Sequence, residues 1–151
     1  MTTPEEQLDG FIDKFEPQVA ALARAALTRM RALTPGATEL VYDNYNALAI
    51  AFAPSERASE AIFSIALYPR WVSLFFGQGA DLPDPERRLT GSGNRMRHIV
   101  LEKIELLSEP AVLALIDVAL ARAKVPLDPH PPRKLIIKSV SAKQRPRRAA
   151  R

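Results

Sequence analysis

The chain has 151 residues, a length that favours one domain. It has no cysteine, which excludes disulfides, thiolate nucleophiles and cysteine-based metal sites. The formal charge of +4 hides a division: residues 133–151 carry eight basic residues and no acid, leaving 13 basic against 17 acidic residues before them.

The start, MTTPEEQLDGF, is acidic and is not expected to be a secretory signal. The longest apolar runs, such as ALAIAFA, fall short of the ~20 residues that span a membrane. Both features predict a cytoplasmic protein with no membrane partner. Leu8, Phe11, Ile12, Phe15, Val19, Leu22, Ala26, Met30 and Leu33 recur at helical spacing. Proline suits the first position of a helix and not its interior. Pro17 therefore divides the stretch into helices over about 4–14 and 17–33, and TPG at 34–36 ends the second.

The period then changes to two. ELVYD is a short strand, and NALAIAFA points Leu48, Ile50 and Phe52 one way and four alanines the other. EAIFSIALY and WVSLFF meet at Pro69-Arg70. Proline cannot adopt the positive φ that a two-residue hairpin needs, so a four-residue loop from Tyr68 to Trp71 is expected. Leu67 then faces Val72, Ile65 faces Leu74 and Phe63 faces Phe76, which keeps the large side chains on one face. RHIVLEK reads as a fifth strand. Ser108 is a fair cap for a last helix bearing Val112, Leu113, Ile116, Ala119, Leu120 and Ala123. Residues 1–124 thus form one α+β domain. It has two layers: an antiparallel sheet of about five strands, with N- and C-terminal helices on one face. The other face is left open to water. Residues 125–132 are a proline-rich linker and 133–151 a basic, flexible tail in which KLIIKSV could be a strand but has no evident partner nearby.

The segments PGATELVYDNYNALAIAF and YPRWVSLFFGQGADLPDPERRLTGSGNRMRHIVL, followed by an amphipathic helix, resemble the YdhG-like family of small bacterial domains. The resemblance covers about residues 17–124. It implies a frataxin-like fold and a role in iron handling. The family pattern often has lysine where this chain has Asn94.

Several surfaces are candidate sites. The loop TGSGNRMRH offers Gly91, Gly93, Arg95, Arg97 and His98 to an anion or small ligand, because guanidinium groups suit carboxylate and phosphate. The plainer reading is a tight turn, its arginines solvated or paired with Asp81, Asp84 or Glu86. Tyr68 and Trp71, flanking the hairpin loop, are candidates for a partner surface or for cross-strand packing. Glu5, Asp9 and Asp13 form an acidic stripe where the iron role implied by the resemblance would lie; otherwise they are a solvated helix face. Lys143, Arg145, Arg147 and Arg148 are candidates for non-specific nucleic-acid contact. The two histidines, His98 and His130, sit in no metal motif, and no serine lies in a nucleophile elbow. The leading expectation is a non-enzymatic protein that binds a small ligand or a protein partner through the open sheet face and the 91–98 loop.

Overall fold

The structure, a computed structural model, describes residues 2–148. In chain order it contains α1 (Pro4–Asp13), α2 (Pro17–Leu33), β1 (Thr38–Asp43), β2 (Leu48–Ala53), β3 (Phe63–Leu67), β4 (Val72–Phe76), β5 (Arg97–Leu101), α3 (Pro110–Arg122) and β6 (Lys134–Val140). Among the described residues no helix is long and apolar enough to cross a membrane.

Capping chemistry sets the helix ends. Thr3 Oγ1 accepts the Glu6 backbone N–H at 3.1 Å and donates to the Glu6 carboxylate at 3.2 Å, a reciprocal cap for α1. Pro17 occupies the first turn of α2 and Pro110 that of α3. The cap of α3 is Glu109, not Ser108. Ser108 closes a preceding 3-10 turn, Ile104–Ser108, which consumes the residues that would otherwise begin the helix.

Thr34-Pro35-Gly36-Ala37 forms a tight turn closed by Ala37 N–H to Thr34 O at 3.2 Å, with Gly36 at φ +80°. This is the type II pattern, with proline second and glycine third. A Cβ on Gly36 would also stand 2.0 Å from the Asp128 carbonyl oxygen. Gly36→Ala is therefore expected to cost at least about 1–2 kcal/mol, the usual penalty for a left-handed residue with a side chain. The midpoint of urea unfolding reads this out.

The sheet order is β5-β4-β3-β2-β1-β6. The first five strands pair antiparallel. In the β3–β4 hairpin Phe63 faces Phe76, Ile65 faces Leu74 and Leu67 faces Val72, as period and turn length predict. One core cluster joins Leu8 and Ile12 of α1, Ala23 and Met30 of α2 and Ile116 of α3 to Ile50, Phe52, Ile65 and Leu74 of the sheet. The smaller cluster on the opposite face, Leu40, Ala51 and Ala53, contains no helical residue.

Two expectations change here. The sheet has six strands rather than about five, and it is mixed, because β6 lies parallel to β1. The basic tail is therefore not a free segment from residue 133 onward; its last three residues, 149–151, lie outside the described residues. The physical reason lies in β1, where Glu39, Val41 and Asp43 share the helix-side face and are fully buried. Glu39 accepts from Arg31 Nε at 2.8 Å and Nη2 at 2.7 Å, and is ion-paired with Arg133, whose Nε lies 3.2 Å away. Asp43 accepts from Arg147 Nη2 at 2.8 Å and lies 3.7 Å from Lys14 Nζ. Arg133 and Arg147 flank β6, so the two carboxylates of β1 each draw in one end of the tail. Arg31 is pulled down by burial, yet its bonds to Glu39 and Glu5 outweigh this and hold its pKa above the ordinary value.

Candidate functional site

The open face of the sheet is built from the second parity set of its strands. Alanine and serine occupy the middle, and larger residues stand around them. Ala47, Ala49, Ser64 and Ala66 form the floor of a groove of about 520 Å³. Its walls are Tyr45, Tyr68, Phe75 and Met96, with Asn44, Asn46 and Ser141 at one end. Among the described residues no charged side chain lines it. Small side chains on adjacent strands leave a flat trough, and the flanking aromatics supply its depth.

The walls are braced from behind. Tyr68 stacks on Trp71 with ring centroids 4.6 Å apart and planes 16° apart. The hairpin loop sets this pair, since Tyr68 N–H donates to Trp71 O at 2.9 Å. Phe75 and His98 are cross-strand partners with centroids 5.0 Å apart. Burial pushes the Tyr68 phenol above its ordinary pKa, so it remains a neutral hydrogen-bond donor at physiological pH.

The tail shapes the groove's far end. Asn44 N–H donates to Ala47 O at 3.0 Å, closing the β1–β2 turn that carries Tyr45. The Tyr45 carbonyl accepts from Arg145 N–H at 2.9 Å and from Arg147 Nη1 at 3.4 Å. Arg147 Nη2 also donates to the Asn44 carbonyl. Ser141, just past β6, donates its N–H to Asp43 O at 2.8 Å and contributes to the lining.

The 91–98 residues do not gather into one pocket. Gly91 has φ +128° and turns the chain, and Thr90 and His98 exchange two backbone hydrogen bonds at 2.8 and 2.9 Å. Arg97 donates to the carbonyls of Gly93 and Met96 rather than to a carboxylate. Arg95 accepts from Ala80 N–H through its own carbonyl at 2.8 Å. Asp84 instead accepts the N–H groups of Arg88 and Leu89, both at 2.8 Å. Arg97 shares the parity of buried Ile99 and Leu101, while His98 meets Phe75 on the other face. The loop's contribution to the groove is Met96.

The acidic stripe is paired with arginines of α2. Glu5 pairs with Arg31 at 2.8 Å, and Asp9 and Asp13 pair with Arg24 at 2.8 and 2.7 Å. Hydrogen bonds to Asp13 and then Asp9 raise the pKa of Arg24. Among the described residues no group of three histidine or acidic side chains is placed to hold an ion. Of the tail candidates, Arg147 is 6% exposed and committed to Asp43, with the Phe15 ring 5.6 Å away. Arg148 Nε donates to Lys14 O at 3.2 Å. Lys143 and Arg145 are exposed.

A second hollow of about 530 Å³ lies between the 3-10 turns at Ala58–Glu60 and Gly79–Asp81 and the end of α3. Glu60, Asp81, Arg122 and Lys124 charge its rim. Arg122 is tied across it to the Asp81 carbonyl at 2.8 Å. None of the candidate site residues read from the sequence lines it. The groove differs in being uncharged and aromatic, and in including both Tyr68 and a residue of the 91–98 loop.

No family model, curated protein or solved structure matches the chain. Sequence reasoning missed Tyr45, Asn46 and Phe75 as groove residues. Phe75 shares parity with Trp71 and was detectable. Tyr45 sits in a turn, where periodicity carries no signal.

Proposed function

We propose that the protein is a non-enzymatic, cytoplasmic binding protein that takes a small, flat, uncharged ligand in the open-face groove. The observation that carries this reading is the groove's chemistry: a floor of small residues, aromatic walls and, among the described residues, no charged group. Its volume lies in the range of small-molecule sites, which are mostly apolar with a few placed polar groups. Desolvating an ion there would go uncompensated, whereas a neutral ring system would stack on Tyr68 or Phe75. The Tyr68 hydroxyl and the Asn44 and Asn46 amides are the groups available for orientation. We further propose that the scaffold belongs with the YdhG-like, frataxin-like domains. Support comes from the order of two helices, an antiparallel meander and a returning helix, with PGATE forming the turn into β1.

The test uses N-phenyl-1-naphthylamine, a neutral fluorophore that brightens when desolvated. The expected result is saturable enhancement by the full chain, reduced at least tenfold in affinity by Ala49→Phe, which fills the floor, and by Tyr68→Ala, which removes a wall. Both variants should keep a cooperative urea transition. Unchanged binding by both variants would remove the groove as the site.

A further inference from the structure

The two edges of the sheet are treated differently. The outer edge of β5 is strapped by its own loop, because Thr90 and His98 exchange two backbone hydrogen bonds there. The other edge is β6, which pairs only with β1. Among the described residues no strand covers its outer side. An uncovered edge presents unpaired N–H and C=O groups to any extended chain that arrives.

The charges carried by the segment that forms this edge are of one sign. From Arg133 to Arg148 there is no acidic residue. Arg133 and Arg147 are consumed by Glu39 and Asp43. Lys134, Lys138, Lys143 and Arg145 remain exposed along or just beyond the strand. Lysines on an edge repel a second copy of the same edge, so they act against self-pairing. The same lysines attract an edge of opposite charge. Duplex nucleic acid would use the charges but not the free backbone groups.

We propose that β6 is a docking edge for an acidic, extended peptide segment of a partner protein, which adds as a seventh strand. Main-chain hydrogen bonds would supply affinity, and Lys134 and Lys138 would select acidic side chains over basic ones. The site is separate from the open-face groove, and it does not depend on what the groove binds.

The experiment measures fluorescence anisotropy of labelled ten-residue peptides against the full chain. One peptide alternates glutamate with valine, a second alternates lysine with valine, and a third is the acidic peptide with two valines replaced by proline. The expected result is saturable binding of the first, with the second and third at least tenfold weaker. Proline removes the N–H groups that strand addition needs while leaving the charge intact. Lys134→Glu combined with Lys138→Glu should weaken the acidic peptide at least tenfold and strengthen the basic one, with an unchanged urea midpoint. Added amide protection confined to β6 in hydrogen exchange would support strand addition. Equal binding of the proline peptide would overturn the proposal and leave charge attraction alone. Duplex DNA competing away the acidic peptide more strongly than unlabelled peptide does would overturn it in favour of a nucleic-acid surface. Sedimentation as a dimer that the peptide does not dissociate would overturn it in favour of a second copy.

Discussion

A chain ending at Pro132 is expected to lose most of its stability. The cut removes β6, and with it Arg133 and Arg147. Asp43, fully buried, would keep only Lys14 at 3.7 Å, and Glu39 would keep only Arg31. The cut also strips Leu135 and Ile137 from the main core and Ile136 from beside Leu40. A buried charge deprived of its partner costs about 3–5 kcal/mol, and each half-buried aliphatic adds about 1 kcal/mol. The sum, on the order of 6–8 kcal/mol, compares with about 5–15 kcal/mol for a whole domain. β1 would also become an uncovered edge bearing two carboxylates that have each lost an arginine. Circular dichroism through a urea titration, full chain against the shortened one, measures the loss. Equal midpoints would show that β6 contributes little.

Arg147→Met is the sharper version of the same argument. Methionine keeps much of the volume beside Phe15 and removes only the charge and donors. We expect a loss of about 3 kcal/mol, at the low end for a broken buried pair because Lys14 stays near Asp43. Adding Asp43→Asn should restore at least half of that loss, since the pair itself is imperfectly satisfied. Asp43 Oδ2 and Arg147 Nε both lack hydrogen-bond partners among the described residues. A buried pair with unmet bonds contributes less than the cost of breaking it, so neutralising both members costs less than neutralising one. The double-mutant cycle in urea gives the coupling energy. A double variant as unstable as the sum of the two single ones would mean that the pair is not coupled.

Much of the scaffold was legible before the structure. The 3.6-residue spacing of Leu8, Ile12 and Phe15 and the two-residue spacing of Phe63, Ile65 and Leu67 are local signals, and each survives unchanged. Pro17, Pro35-Gly36 and Pro69 punctuate the chain through fixed φ or its absence, which no tertiary contact needs to supply. The candidate site was legible only in part. Tyr68 and Trp71 were singled out because they flank the hairpin loop; Tyr68 lines the groove and Trp71 stacks on it. Tyr45 and Met96 reach the groove from a turn and a loop whose paths depend on contacts with distant segments.

The tail shows where local reading ends. KLIIKSV is β-prone and apolar enough to be a strand, but its partner, β1, lies 96 positions earlier in the Thr38–Lys134 register. The sequence by itself determined the helices, the antiparallel meander, the face that is buried and the basic character of the tail, because each follows from residues near one another in the chain. Only the tertiary structure decided that Glu39 and Asp43 are buried, that Arg133 and Arg147 neutralise them, and that α2 arginines occupy the acidic stripe of α1. Those outcomes depend on which opposite charges meet after the chain has closed on itself. A charge read alone carries its sign but not its partner.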